Sequence, residues 1–358
     1  MTEATVAISA ESLRATIGGI LRGLGVAPDE ATTVADLLVE ADLRGVESHG
    51  AHLVSLYVSR IRSGHLRPST TITTLRDDGT TVLLDGGLGF GQVAGLEAMK
   101  LAVDRSGEHG VAAVAVREST HLGALGAFTQ RAAEAGRICF CWQNGPTIVP
   151  PFGGITPLFS TNPISYGIPT ADEPTIVYDI ATTTVAGNKV LLAKRRGDPT
   201  IPEGWANDEL GRPTTDTEAA SVFNLQWFGG HKGFGLGFLV EVLAGVLTGS
   251  SFSRLEYTES ELAGKERISK GYLFVALDPA RFMPIDEFRA RVDALVRDVR
   301  ESERAEGVER IWMPGEIEHH RRIARERDGV PLPRVLVDDL NGFAAELGAP
   351  LLVEGLPA

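Results

Sequence analysis

Ser48 and His49 stand side by side in the polar segment Arg44-Gly-Val-Glu-Ser-His-Gly50, between two stretches with amphipathic helical spacing. A histidine titrates near neutrality, so at such a boundary it can accept a hydroxyl proton in one direction and return it in the other. A capping serine beside a surface histidine has the same spacing. A second group, Ser119-Thr120-His121-Leu122-Gly123, follows the apolar run VAAVAV and precedes a helix-like stretch. Backbone N–H groups at a helix N-terminus there can hold an anion such as a pyrophosphate. An ordinary turn capped by Ser119 or Thr120 fits equally well. A third group comprises Pro151 to Gly154, then Ser160-Thr161-Asn162-Pro163, then Asp179 near the end of TIVYDI. A carboxylate at a strand end can orient a histidine and stabilise its cation, or it can cap a helix. The fourth, Gly229-Gly-His231-Lys232-Gly233-Phe-Gly235, has the glycines and lysine of a phosphate cradle without Walker A spacing. Lys232 at a helix start would complement a phosphate or a ribose.

These groups need elements to position them. Pro28 opens a helical segment in which Ala31, Val34, Ala35, Leu38 and Val39 recur on one face, with Asp29 and Glu30 in its first turn. A second amphipathic stretch runs from Leu53 to Ile61. From about residue 80 the texture changes. TVLLD (81–85), VAAVAV (111–116), RICFCW (137–142), TIVYDI (175–180) and GYLFVALD (271–278) read as strands. Helix-like stretches lie between them at 93–105, 123–135 and 232–247. After Pro284 the pattern is helical again, with Phe288, Val292, Leu295, Val296 and Val299 on one stripe, and a last helix over 337–347. This order predicts an α/β (α+β) chain whose two ends, 1–75 and 280–358, pack as a helical domain. That domain would sit beside a sheet domain over 76–279.

One motif misleads. After TVLLD, the residues Gly89, Gly91 and Ala94 fit G-x-G-x-x-A, and Glu118 ends a further strand roughly twenty-odd residues on. That is the outline of a Rossmann fingerprint, but a tight turn needing positive φ produces the same glycines.

Composition narrows the function classes. Lys and Arg number 34 against 47 Asp and Glu, a net charge of -13. Such a surface repels phosphate backbones and anionic lipid, so nucleic acid and membrane surfaces are poor partners. An anionic substrate would need a local positive site inside a cleft. Cys139 and Cys141 share one strand face and read as buried thiols of a reducing compartment. The N-terminus has no basic stretch leading into an apolar one, and the longest apolar segment, Leu236 to Leu247, is interrupted by Glu241. A cytoplasmic protein is expected.

Taken together, RGVESHG with Tyr57 and RIRSGHLRP, STHLGALGAF, PFGGITPLFSTNPISYGIPT with DIATT, IPEGWANDELGRPTTD, GGHKGFGLG and MPGE resemble the type-2 malate/L-lactate dehydrogenase family. That family includes ureidoglycolate and sulfolactate dehydrogenases, diketogulonate reductase and piperideine-2-carboxylate reductases. The likeness covers about residues 10–345. It implies a homodimer with a non-Rossmann, mixed or antiparallel cofactor-binding sheet. It also implies NAD- or NADP-dependent hydride exchange with C2 of a small 2-hydroxy or 2-oxo acid, or reduction of a cyclic imine acid. By motif, His49 matches the proton donor and acceptor, with Ser48 and Asp179 as relay and orienting partners. His121, Leu122, Gly123, Asp179, Ile180, Ala181, Lys232, Gly315 and Glu316 match cofactor contacts, His121 being the acid/base in some relatives. Thr161 matches a substrate contact. No metal is implied.

The chain departs from the family pattern at Leu53, where relatives usually carry a substrate-binding arginine. Losing that guanidinium removes a bidentate charged contact. Arg44, Arg60 or His52 would supply the charge, or the substrate differs at that end. Two other classes remain conceivable. A metal-dependent hydrolase would use His49 and His52 with His231, His319 or His320, but no acidic or cysteine partner stands at ligand spacing. A silent paralogue would keep cofactor binding alone, against which Ser48, His49 and Asp179 are intact.

Overall fold

The computed structural model describes residues 5–253 and 269–355. The described chain opens on a strand, β1 (Thr5–Ile8), and the helix α1 (Ala10–Gly23), whose first turn Ser9 caps by accepting from the Ser12 N–H. In α2 (Pro28–Leu43) proline occupies the first position, where its missing N–H costs nothing. Ala31, Val34, Ala35, Leu38 and Val39 are buried, on the face their spacing predicts. A single 3-10 turn over Glu47–His49 leads into α3 (Leu53–Arg62).

Next come β2 (Thr73–Asp77), β3 (Thr81–Asp85), α4 (Gly91–His109) and β4 (Val111–Ser119). They are followed by α5 (Gly126–Glu134), β5 (Ile138–Gln143), β6 (Ile164–Ile168) and β7 (Ile176–Ile180). The helix α6 (Gly187–Arg196) precedes a short pair, β8 (Ala206–Asn207) and β9 (Pro213–Thr214). Then α7 (His231–Val240) runs on as π-helical turns over Glu241–Val246. The described chain closes with β10 (Lys270–Leu277), α8 (Ile285–Glu301), α9 (Glu316–Asp328), β11 (Val330–Pro333) and α10 (Arg334–Leu347).

Among the described residues, seven strands form the central sheet in the order β2-β3-β4-β10-β5-β6-β7. Of these, only β3 and β4 run parallel; every other neighbouring pair is antiparallel. The sheet is mixed, not doubly wound. The misleading glycines do lie in its one parallel β3–α4–β4 unit, which is why they mimic a fingerprint. Their reason is packing. A Cβ on Gly91 would sit 2.3 Å from the Thr120 carbonyl oxygen, and one on Gly89 2.5 Å from Thr70 Cα. Glycine lets α4 press directly onto the turn that carries His121.

Three cores form among the described residues. The first joins both ends: Leu13 and Ile17 of α1, Val54 of α3, Leu332 of β11 and Leu340 of α10 are buried together. The second lies between the sheet and helices α4 and α5, through Val114, Val116, Phe128 and Phe274. Cys139 and Cys141 belong to it as free, buried thiols on one strand face. A third, around Val149, Val190, Leu225 and Trp227, has no counterpart in the sequence reading.

The stripe expected along α8 is only partly buried. Leu295 is 61% exposed, whereas Asp293 is buried and accepts from the Ala171 and Asp172 N–H groups. That helix therefore docks onto the β6–β7 turn through a carboxylate that satisfies turn amides. Helix α9 braces α2 and the turn after it: Arg322 pairs with Glu40 at 3.1 Å, and Arg325 pairs with Glu47.

Candidate active site

The turn carrying Ser48 and His49 is shaped from beneath by Asp42, a buried residue of α2. Its Oδ2 accepts from the Ala51 N–H at 2.7 Å. A Cβ on Gly50 would fall 1.8 Å from Asp42 Oδ1, so the glycine after the histidine is required for space. Burial pushes the Asp42 carboxyl up to about 7, opposed by the Ala51 hydrogen bond.

Ser48 Oγ lies 2.8 Å from His49 Nδ1. The ring stacks on His121, with centroids 5.2 Å apart. Burial lowers His49 to about 4, and nearby His52 adds to the shift. His121 is held well below the usual histidine range, first by burial and then by the charges of His49 and Lys270. Two neutral imidazoles therefore face one another at neutral pH.

They open onto a cavity of about 780 Å³. Arg44, Ser48 and His49 line it from the helical side. His121, Gly123, Thr161, Asp179, Ile180 and Ala181 line it from the sheet, and Met313, Pro314 and Gly315 close a further edge. Residues of the first three segments singled out in the sequence thus converge on one space, whereas Pro151 to Gly154 and Gly229 to Gly235 lie off its lining.

Asp179 Oδ2 accepts from Gly126 N–H at 2.7 Å and caps α5, so the helix start read as either an anion site or an ordinary turn already carries a carboxylate. The side chain is open to the cavity but enclosed by surrounding protein. That enclosure raises it to about 6, against the Gly126 hydrogen bond and Arg44. Arg44 is buried, donates to Gln130 Oε1, and lies within the electrostatic reach of Glu40, Glu318 and Asp179.

Three residues matched by motif do not line the cavity. Leu122 is fully buried in the sheet core. Glu316 accepts from the Met313 N–H at 3.0 Å and pairs with Arg300 and Arg310, which fixes the turn leading to Gly315. Lys232 is exposed at the start of α7. Leu53 packs in the helical core and offers nothing to the site. Arg60 and His52 also lie off the lining.

The sequence reading missed Lys270. It is 3% exposed and lines the cavity. Its signal was a lysine opening an otherwise apolar strand, one residue before the expected start at Gly271. Asn162 stood in the third group without a role of its own; its Nδ2 donates to Glu241 Oε2 at 2.7 Å and to the Gly237 carbonyl, tying the Thr161 turn to α7. Among the described residues no three His, Cys, Asp or Glu side chains group as a metal site. Among them, too, no helix is long and apolar enough to cross a membrane.

A family model described as malate/L-lactate dehydrogenase matches residues 8–341. The chain belongs to that family. This malate/L-lactate dehydrogenase homologue is 35% identical to malate dehydrogenase of Pyrococcus abyssi over 351 residues, 96% of this chain and 95% of that one. It is likewise 35% identical over 327 residues to the (2R)-3-sulfolactate dehydrogenase (NADP(+)) of Chromohalobacter salexigens, covering 90% and 94% of the two chains. The crystal structure of malate dehydrogenase from Entamoeba histolytica superposes with a TM-score of 0.91 at 29% identity, over 97% of this chain and 99% of that chain. Membership makes the chain an NAD(P)-dependent oxidoreductase of the 2-hydroxyacid dehydrogenase type.

Proposed function

We propose that His49 is the proton donor and acceptor in the interconversion of a small 2-hydroxy acid and its 2-oxo acid. The observation that carries this reading is the Ser48–His49 pair, opening on the shared cavity with its imidazole held neutral.

The residues present fit a nicotinamide dinucleotide. A volume of about 780 Å³ lies in the range of cofactor clefts. Gly123 and Gly315, at φ of 87° and 83°, give it backbone walls free of side-chain bulk. His121, Gly123, Ile180, Ala181 and Gly315 would hold NAD or NADP, with Leu122, Lys232 and Glu316 supporting from outside the lining. When bound, the cofactor supplies hydride exchange at the substrate's C2.

Everything else falls to side chains. Ser48 occupies Nδ1, which leaves Nε2 of His49 for the substrate. In oxidation the neutral ring takes the C2 hydroxyl proton. In reduction the imidazolium returns it to the new alkoxide, or to nitrogen where the substrate is a cyclic imine acid. Asp179 shares the cavity and offsets positive charge there, and Thr161 and Arg44 bound the substrate's space. The helical domain formed by 1–75 and 280–358 delivers His49 to the sheet domain over 76–279.

The protein acts as a cytoplasmic homodimer on this reading. Leu236, Phe238, Leu239, Val246 and Leu247 leave an apolar face on α7 and its extension that suits a second copy. Light scattering that gives a monomer's mass would remove that part. For the chemistry, His49→Ala should lower turnover by roughly 10²–10⁴-fold, while NAD(P)H binding, read by fluorescence, persists. Normal turnover in that variant would refute the assignment.

A further inference from the structure

The acid group of such a substrate needs a cation in a chain whose net charge is -13. Apart from histidines, the described cations lining the cavity are Arg44, Lys189 and Lys270. Arg44 lies on the helical side, with Glu40, Glu318 and Asp179 around it. Lys189 is exposed, with its ammonium 5.8 Å over the Trp205 ring. Lys270 lies on the sheet side. It is 3% exposed, opens β10 and stands opposite Ser119 in the β4 register, beside the turn that carries His121. The Cβ that Gly145 lacks would lie 3.8 Å from Lys270 Nζ and 2.5 Å from Ser160 Oγ. The ammonium therefore rests against the cavity wall adjoining Thr161.

We propose that Lys270 holds the substrate's carboxylate, supplying from the sheet side the charge that Leu53 cannot. The assignment rests on the proposed function, since it takes a 2-oxo or 2-hydroxy acid as the ligand. One ammonium against a carboxylate makes a charge-assisted hydrogen bond inside an enclosed space, where it counts for more than in water. Burial raises the Glu241 carboxyl, opposed by hydrogen bonds from Asn162 and Ser253 and, more weakly, by the charge of Lys270. A purely structural role as counter-charge to Glu241 is the rival that the test must separate.

The test compares wild type, Lys270→Met and Lys270→Arg, each loaded with reduced coenzyme. The substrate is the monocarboxylic 2-oxo acid turned over best, paired with its methyl ester. Lys270→Met should lower kcat/KM for the acid by roughly 10- to 150-fold, mostly through KM. It should leave the ester nearly unchanged, and Lys270→Arg should recover most of the loss. Equal loss on acid and ester, or a weakened coenzyme Kd without acid-specific loss, would overturn the proposal. Calorimetric binding of oxamate, with neutral oxamide as control, reads the lysine without turnover. Oxamate binding to wild type that is lost in Lys270→Met supports the clamp. Equal oxamate binding in both proteins, or none in wild type, overturns it. Absence of turnover on every acid would count against the proposed function instead.

Discussion

Replacing Gly50 with alanine puts a methyl group where the Asp42 carboxylate already is. The new Cβ would lie 1.8 Å from Oδ1, 2.2 Å from Cγ and 2.6 Å from Oδ2, against ordinary carbon contacts of about 3.5–4 Å. Asp42 cannot simply swing away, because it is 2% exposed and its Oδ2 holds the Ala51 N–H. Two costs follow. Overpacking takes about 1–3 kcal/mol, and losing the backbone hydrogen bond takes about 0.5–3 kcal/mol, the upper end when Asp42 is ionised. The sum is roughly 1.5–6 kcal/mol, which for a chain of this length lowers Tm by roughly 2–8 °C. Turnover should suffer more than stability, since the displaced residue adjoins His49. Calorimetry and kcat/KM measure the two effects. Removing the obstacle with Asp42→Ala should make the Gly50→Ala change cheaper in the double variant than alone, with coupling above about 1 kcal/mol. Strict additivity, or a single variant with unaltered Tm and rate, would show that this turn is not packed as argued.

Three other outcomes are expected. Asp42 binds its proton more tightly folded than unfolded, its pKa rising from 3.8 to about 7. Its contribution to stability is therefore complete below pH 3.8 and is lost as pH rises through about 7. Asp42→Asn should flatten that decline in Tm against pH, and superimposable curves would contradict it. For His49, lowered to about 4, oxidative kcat/KM should lack the usual histidine limb near 6.5. Any limb near 6 belongs to Asp179 and should vanish in Asp179→Asn; its survival there would refute that assignment. Finally, Glu316→Gln should loosen the turn before Gly315 and raise the coenzyme KM by roughly tenfold, leaving kcat largely intact. A fall in kcat with unchanged coenzyme KM would place Glu316 elsewhere in the mechanism.

Much of the site was legible because chemistry and local structure coincide there. Ser48, His49, His121, Thr161 and Asp179 all sit at ends of elements, where Gly, Pro and polar residues punctuate the sequence. Most helices and the long strands announced themselves by period, whereas α6 and α9 were not marked out. What escaped depends on the third dimension. β6 shows no clear strand signal in ISYGI, and β1 and β11 are short strands that pair across almost the whole chain. No spacing rule places Lys270 beside His121, because β4 and β10 are brought together only by the sheet. Asp179 is the opposite case: its position was clear, but its helix-cap contact with Gly126 depends on how α5 meets β7. The parallel β3–α4–β4 unit shows how a true local geometry can still suggest the wrong fold.

The brace formed by α9 has a mechanical consequence. Its first turn adjoins Gly315 at the rim of the cavity, while Arg322 and Arg325 grip Glu40 and Glu47, the latter one residue from Ser48. A helix resists compression along its axis, and close-packed interiors pass strain onward instead of absorbing it. Alterations in this strut are therefore expected to change reaction rate without touching either reactant.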